Sequence, residues 1–104
     1  MIALTACYPA GTPLDRDYYF AKHLPLVDAQ LKPVGLRRSE IRTVAATADG
    51  SPPPYQLIAS LYFDDLAAVQ AGLASENGQA VVADIANFFG GAPVIMLAEV
   101  AFAD

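Results

Sequence analysis

Tyr55–Phe63 reads YQLIASLYF. Gln56, Ile58, Ser60 and Tyr62 alternate with Leu57, Ala59, Leu61 and Phe63, the period-two spacing of a β-strand. The second set is wholly apolar, and the first is largely so through Ile58 and Tyr62. A half-exposed strand should alternate apolar with polar residues, so this one is expected to be covered on both faces. It lies between a stiff run of three prolines, Pro52 to Pro54, and Asp64, which is placed to cap a following helix.

Working outward from this strand, the helix after Asp64 carries Leu66, Val69 and Leu73 at helical spacing. Gly72 and the stretch SENG (75–78) weaken or break it. A continuation over Gln79–Phe89 places Val81 or Val82, Ile85 and Phe89 on one side, and Gly90-Gly91 ends it. PVIMLAEVAF, Pro93–Phe102, is a last strand. Upstream, ATADGSPPP (46–54) is a loop with Asp49-Gly50 as its turn. Leu36–Ala45 is a strand whose Arg37, Arg38, Glu40 and Arg42 mark a sheet edge. Asp15–Leu31 is a helix with Phe20, Leu24, Val27 and Leu31 as its buried stripe. Asp15 and Asp17 sit at its start, and Pro33 and Gly35 stop it. Pro25 lies inside it at the cost of a backbone hydrogen bond. Ile2–Tyr8, with Ile2, Leu4, Ala6 and Tyr8 on one face, is the first strand.

The order is β-α-β-β-α-β. It predicts an α+β, ferredoxin-like fold over a single domain, residues 1–104. One four-stranded antiparallel sheet carries both helices on one face, with the first and third strands central. The last strand then lies at an edge. It is nevertheless apolar on both sides, with Val94, Met96, Ala98, Val100 and Phe102 on one and Ile95, Leu97 and Ala101 on the other, broken only by Glu99. A bare apolar edge invites aggregation. The expected resolution is a homodimer whose sheets pack face to face.

Composition agrees. Hydrophobic residues make up 55% of the 104 and charged residues 16%, against a usual charged share of ~25%. A chain this short cannot hide that much apolar surface alone, so it assembles, holds an apolar ligand, or does both. A net charge of −5 with six Lys and Arg argues against a nucleic-acid partner, whose phosphates need clustered basic residues. One cysteine, Cys7, allows no internal disulfide, and with one histidine it leaves a zinc site without ligands. No run approaches the ~20 apolar residues of a membrane span. The expected setting is the cytoplasm.

Three stretches together, DYYFAKHLPLV (17–27), GSPPPYQLIASLYFDDL (50–66) and NFFGGAPVIMLAEV (87–100), resemble the EthD family, named for ethyl tert-butyl ether degradation. The resemblance runs over nearly the whole chain. It implies a ferredoxin-like fold that dimerises into an α+β barrel. It also implies kinship with small cofactor-free enzymes that isomerise, dehydrate or decarboxylate cyclic or aromatic metabolites. In several of those a helix-borne histidine is the acid or base. His23 matches that position, and Tyr19 matches a pocket residue one turn earlier. A mechanism with two histidines is out of reach here.

On the residues alone, His23 has two readings. It is either a proton carrier working near neutral pH or a partly buried ring bonded to a backbone carbonyl. Tyr19 stacks on the same side of the helix, about 100° round from the core stripe. No carboxylate lies three or four residues from His23, so an orienting acid must come from elsewhere. Glu99, a lone acid in an apolar strand, is the preferred candidate; the other reading pairs it with an arginine. Tyr62 and Ser60 share a strand face and could line a substrate cavity. No metal and no cofactor are expected. Two functions follow: an acid–base enzyme acting on a small apolar ligand through His23 and Tyr19, or a non-catalytic accessory protein of an oxygenase system in ether degradation.

Overall fold

A computed structural model describes all 104 residues, Met1–Asp104. The sheet has the order β2-β3-β1-β4, with every neighbouring pair antiparallel. Its strands are β1 (Ile2–Pro9), β2 (Arg38–Thr43), β3 (Tyr55–Phe63) and β4 (Val94–Glu99). β1 and β3 are central and the helices pack on one face, which is the ferredoxin-like arrangement. β3 spans the residues the alternation assigns to it. Leu57, Ala59, Leu61 and Phe63 are buried, with Leu4, Ala6 and Tyr8 of β1 alongside them in the two hydrophobic clusters of the core. No helix is long and apolar enough to cross a membrane.

The first helical rod joins α1 (Arg16–Tyr18), a π turn (Tyr19–His23), α2 (Leu24–Leu31) and a 3-10 turn (Lys32–Val34). Its buried residues are Tyr19, His23, Val27 and Leu31, spaced by four throughout. A straight α-helix turns about 100° per residue, so each step of four overshoots a full turn by about 40°. Three such steps would carry the stripe off the core. The π turn absorbs that drift: the Leu24 N–H donates to the Tyr19 carbonyl, five residues back. This corrects the stripe expected from 3.6-residue spacing. Phe20 is exposed and Leu24 half-buried, while Tyr19 and His23 lie within the core rather than about 100° round from its stripe.

Other boundaries differ for local reasons. Asp65, not Asp64, caps α3 (Leu66–Ala74): its carboxylate accepts from the Ala68 N–H at 2.8 Å. A cap of this kind is worth about 1 kcal/mol. Asp64 instead takes both arms of Arg37, at 2.6 and 3.0 Å. Ser75 divides the second helical region. It ends α3 and caps α4 (Glu76–Asp84) through the Gly78 N–H, and a 3-10 turn (Ile85–Asn87) follows. Val81 faces inward and Val82 outward. β2 is shorter than Leu36–Ala45, because Leu36 is drawn into the core and Arg37 into the pair with Asp64. β4 stops at Glu99, opposite Ile2 at the start of β1. Val94, Ile95, Met96 and Leu97 of β4 are each more than 40% exposed, so the edge is apolar and uncovered in the single chain.

Candidate active site

His23 and Asp84 come together because two local devices point them at each other. The Asp15 N–H donates to the Phe88 carbonyl at 2.9 Å, tying the start of the first rod to the end of the second helical region. The π turn then aims His23 inward over the last residue of α4. His23 Nδ1 lies 2.9 Å from Asp84 Oδ2, with both side chains nearly buried. The other carboxylate oxygen, Oδ1, accepts from the Tyr18 hydroxyl at 2.7 Å and from Asn87 Nδ2 at 2.9 Å.

These contacts set the proton positions. Burial alone would raise the Asp84 carboxyl, but the bonds from Tyr18, Asn87 and His23 together bring it below the ordinary value. Asp84 is therefore an anion and can only accept. Desolvation pulls His23 below 6.5 despite the pull of Asp84 in the other direction. Near neutrality the imidazole is uncharged, with its proton on Nδ1 facing Asp84 and a free lone pair on Nε2.

His23 lines a cavity of about 60 Å³ at the seam between the two core clusters. Fourteen of the sixteen lining residues are hydrophobic, the others being His23 and Gly78. Tyr8 and Tyr19 also line it. Neither hydroxyl, nor His23 Nε2, has a hydrogen-bond partner in the protein, yet none of these atoms is sealed off. Burial raises both phenols, Tyr8 to about 12, so each remains a neutral donor. Tyr8, Tyr19 and His23 belong to an aromatic cluster with Phe88 and Phe89, with His23 4.5 Å from Phe88 between ring centres.

The remaining candidate residues lie elsewhere. Ser60 and Tyr62 point from the other face of β3, since Ala59 and Leu61 face the helices. There Arg42 reaches Ser60 at 3.5 Å and Arg38 stacks over Tyr62 at 4.0 Å. Glu99 shares the helix-side face of the sheet but is exposed. It pairs with Ile2, six residues from Tyr8, or about 20 Å along the strand. The carboxylate that meets His23 is Asp84. Its signal in the sequence is an acid on the same helical side as Val81 and Phe88, three residues after one and four before the other.

The EthD domain model matches residues 14–92, which include all of this constellation except Tyr8. The chain belongs to the EthD family. An uncharacterised 11.0 kDa protein from the thcB–thcC intergenic region of Rhodococcus erythropolis is 30% identical over 96 residues, covering 88% of this chain and 85% of its own. An EthD-like protein of Ralstonia eutropha superposes with a TM-score of 0.84 at 27% identity, over 99% of this chain and 94% of its own. An ethyl tert-butyl ether (EthD) family protein of Bacillus halodurans gives 0.78 at 26%, over 95% and 97%. In this EthD domain the family stretch DYYFAKHLPLV is the π-turned rod that carries Tyr18, Tyr19 and His23.

Proposed function

We propose that this EthD protein is an acid–base enzyme of small-molecule metabolism, acting on xenobiotic or aromatic, polyketide-like compounds. Its chemistry rests on proton transfer and an enolate and needs no cofactor. His23 Nε2 takes a proton from the carbon next to a carbonyl. The enolate oxygen that forms accepts from the Tyr19 hydroxyl. In an isomerisation the imidazolium returns the proton to another carbon, and in a dehydration it gives the proton to the β-hydroxyl, which the enolate expels as water. In a decarboxylation CO2 leaves in place of the proton, and the enolate takes its proton from water. The observation that carries this reading is the 2.9 Å contact from Nδ1 to Asp84 Oδ2, with Nε2 left free at the cavity. Asp84 stabilises the imidazolium once it forms.

The test does not require the natural substrate. Deuterium uptake at the α-carbons of 2-tetralone in D2O, followed by proton NMR, should be faster with the protein than in buffer. The rate should be flat above neutrality and fall in acid through a midpoint below 6.5, because protonated His23 cannot act as a base. No acceleration over heat-denatured protein would sink the reading.

The expected form is a cytoplasmic homodimer with one EthD-like unit per chain, and the apolar, uncovered β4 supports the assembly. The partner's sheet would cover the face that carries Ser60, Tyr62 and Met96. Sedimentation should give twice the mass of the chain at micromolar concentration; a monomer would count against it. The name of the Bacillus relative motivates the second reading, an accessory ligand-binding protein of ether breakdown. In that case the cavity holds a ligand and no exchange is seen.

A further inference from the structure

The reading above leaves two features of the cavity unused: the Tyr8 hydroxyl and the absence of any cation. None of the six Lys and Arg lines the cavity, and none lines the open groove that continues from it past Val82, Ile85 and Ile95. The groove is formed by the Phe89–Pro93 turn and the β4 edge, and it also contains no charged residue. Asp84, behind His23, is negative. Three of the residues that line the space carry a polar atom with no partner in the protein: two phenol donors and one imidazole acceptor.

We propose that the site takes an uncharged, oxygenated ring compound, a phenol or cyclic ketone, and rejects carboxylates. The ligand's oxygen accepts from Tyr8 and Tyr19, and its acidic hydrogen faces His23 Nε2. The apolar remainder runs out into the groove. This rests on the cavity at His23 being the working site. It adds Tyr8 as a binding residue and neutrality as the selection rule, which keeps isomerisation and dehydration and removes decarboxylation from the three reactions. The physical reason is desolvation. An anion here would lose its water, find no counter-charge, and sit beside a second carboxylate. A neutral hydroxyl or carbonyl finds partners for its polar atoms and buries the rest against apolar walls. The lining also suits a ring compound. Small Ala6 and Ala59 line the cavity from the sheet, and the Tyr8 and Tyr19 rings line it together with His23. At about 60 Å³ it has room for a few waters, so it holds the reactive end while the groove takes the rest.

The test compares 2-naphthol, neutral at pH 7.5, with 2-naphthoate, an anion on the same ring system. Binding to the full chain is followed through the resonances of its single imidazole. The expected result is binding of 2-naphthol with a shift at His23, and affinity for 2-naphthoate at least ~100-fold weaker. Tyr8→Phe and Tyr19→Phe keep the rings that pack the core and remove one donor each. Each should weaken 2-naphthol by ~3–10-fold. Equal or tighter binding of 2-naphthoate overturns the proposal. So does failure of both probes to bind, or 2-naphthol affinity unchanged in both tyrosine variants. Selective binding of 2-naphthol without any exchange into 2-tetralone leaves this inference standing and removes only the acid–base reading.

Discussion

Asp84→Asn is expected to slow deuterium exchange by ~10²–10⁴-fold, the range a positioned general base contributes. The reason is the wiring of the carboxylate. Its Oδ1 faces two donors, the Tyr18 hydroxyl at 2.7 Å and Asn87 Nδ2 at 2.9 Å. An asparagine placed there must turn its carbonyl oxygen toward those donors, which leaves its NH2 facing His23. The imidazole then accepts at Nδ1 and carries its proton on Nε2, so the lone pair leaves the cavity. The rate should fall at every pH rather than along a shifted profile, because the base points the wrong way whatever its affinity for a proton. His23→Gln, which removes the base altogether, should fall at least as far. If Asp84→Asn keeps the wild-type rate, Asp84 does not position His23.

Gly78→Ala is expected to cost about 3 kcal/mol, at the upper end for an added methyl group in a packed interior. For a chain of this length that lowers the melting temperature by roughly 12–24 °C. Gly78 sits in the first turn of α4, where α4 folds back against the end of α3. A Cβ there overlaps the Gly72 carbonyl oxygen and comes within 2.8 Å of the Leu73 backbone. Backbone cannot step aside as a flexible side chain can. To make room, α4 would have to lift, and α4 carries Val81 into the core and Asp84 to His23. Gly90→Ala is the control, since a methyl there meets nothing closer than 3.8 Å. Thermal melts followed by circular dichroism separate the two. Equal melting temperatures would mean that the α3–α4 corner is looser than this packing implies.

Much of the fold is legible in the chain because it rests on alternation and on element order. YQLIASLYF carries its own ends, both its faces and its central place. The apolar β4 declares itself as an edge that needs a cover. What cannot be read off is anything set by departures from regular geometry. The buried series Tyr19, His23, Val27 and Leu31 follows a spacing of four that a regular α-helix cannot sustain, so 3.6-residue counting selects Phe20 and Leu24 instead. Of the two neighbouring acids Asp64 and Asp65, which one caps depends on where Arg37 arrives, and that is a tertiary fact. The same holds for the constellation. His23 and Tyr19 are visible as one side of a helix, and the need for a carboxylate from another element is visible with them. That the carboxylate is Asp84 depends on a contact across sixty-one residues.

The single histidine makes the central claim directly observable. Nitrogen-15 chemical shifts of the His23 ring should show, at pH 7, a protonated Nδ1 and an unprotonated Nε2. The ring should take up its second proton only below pH 6.5, and in Asp84→Asn the proton should move to Nε2. A wild-type ring protonated on Nε2 at neutral pH, or one already cationic above pH 6.5, would contradict the assignment of His23 as a base held in place by Asp84.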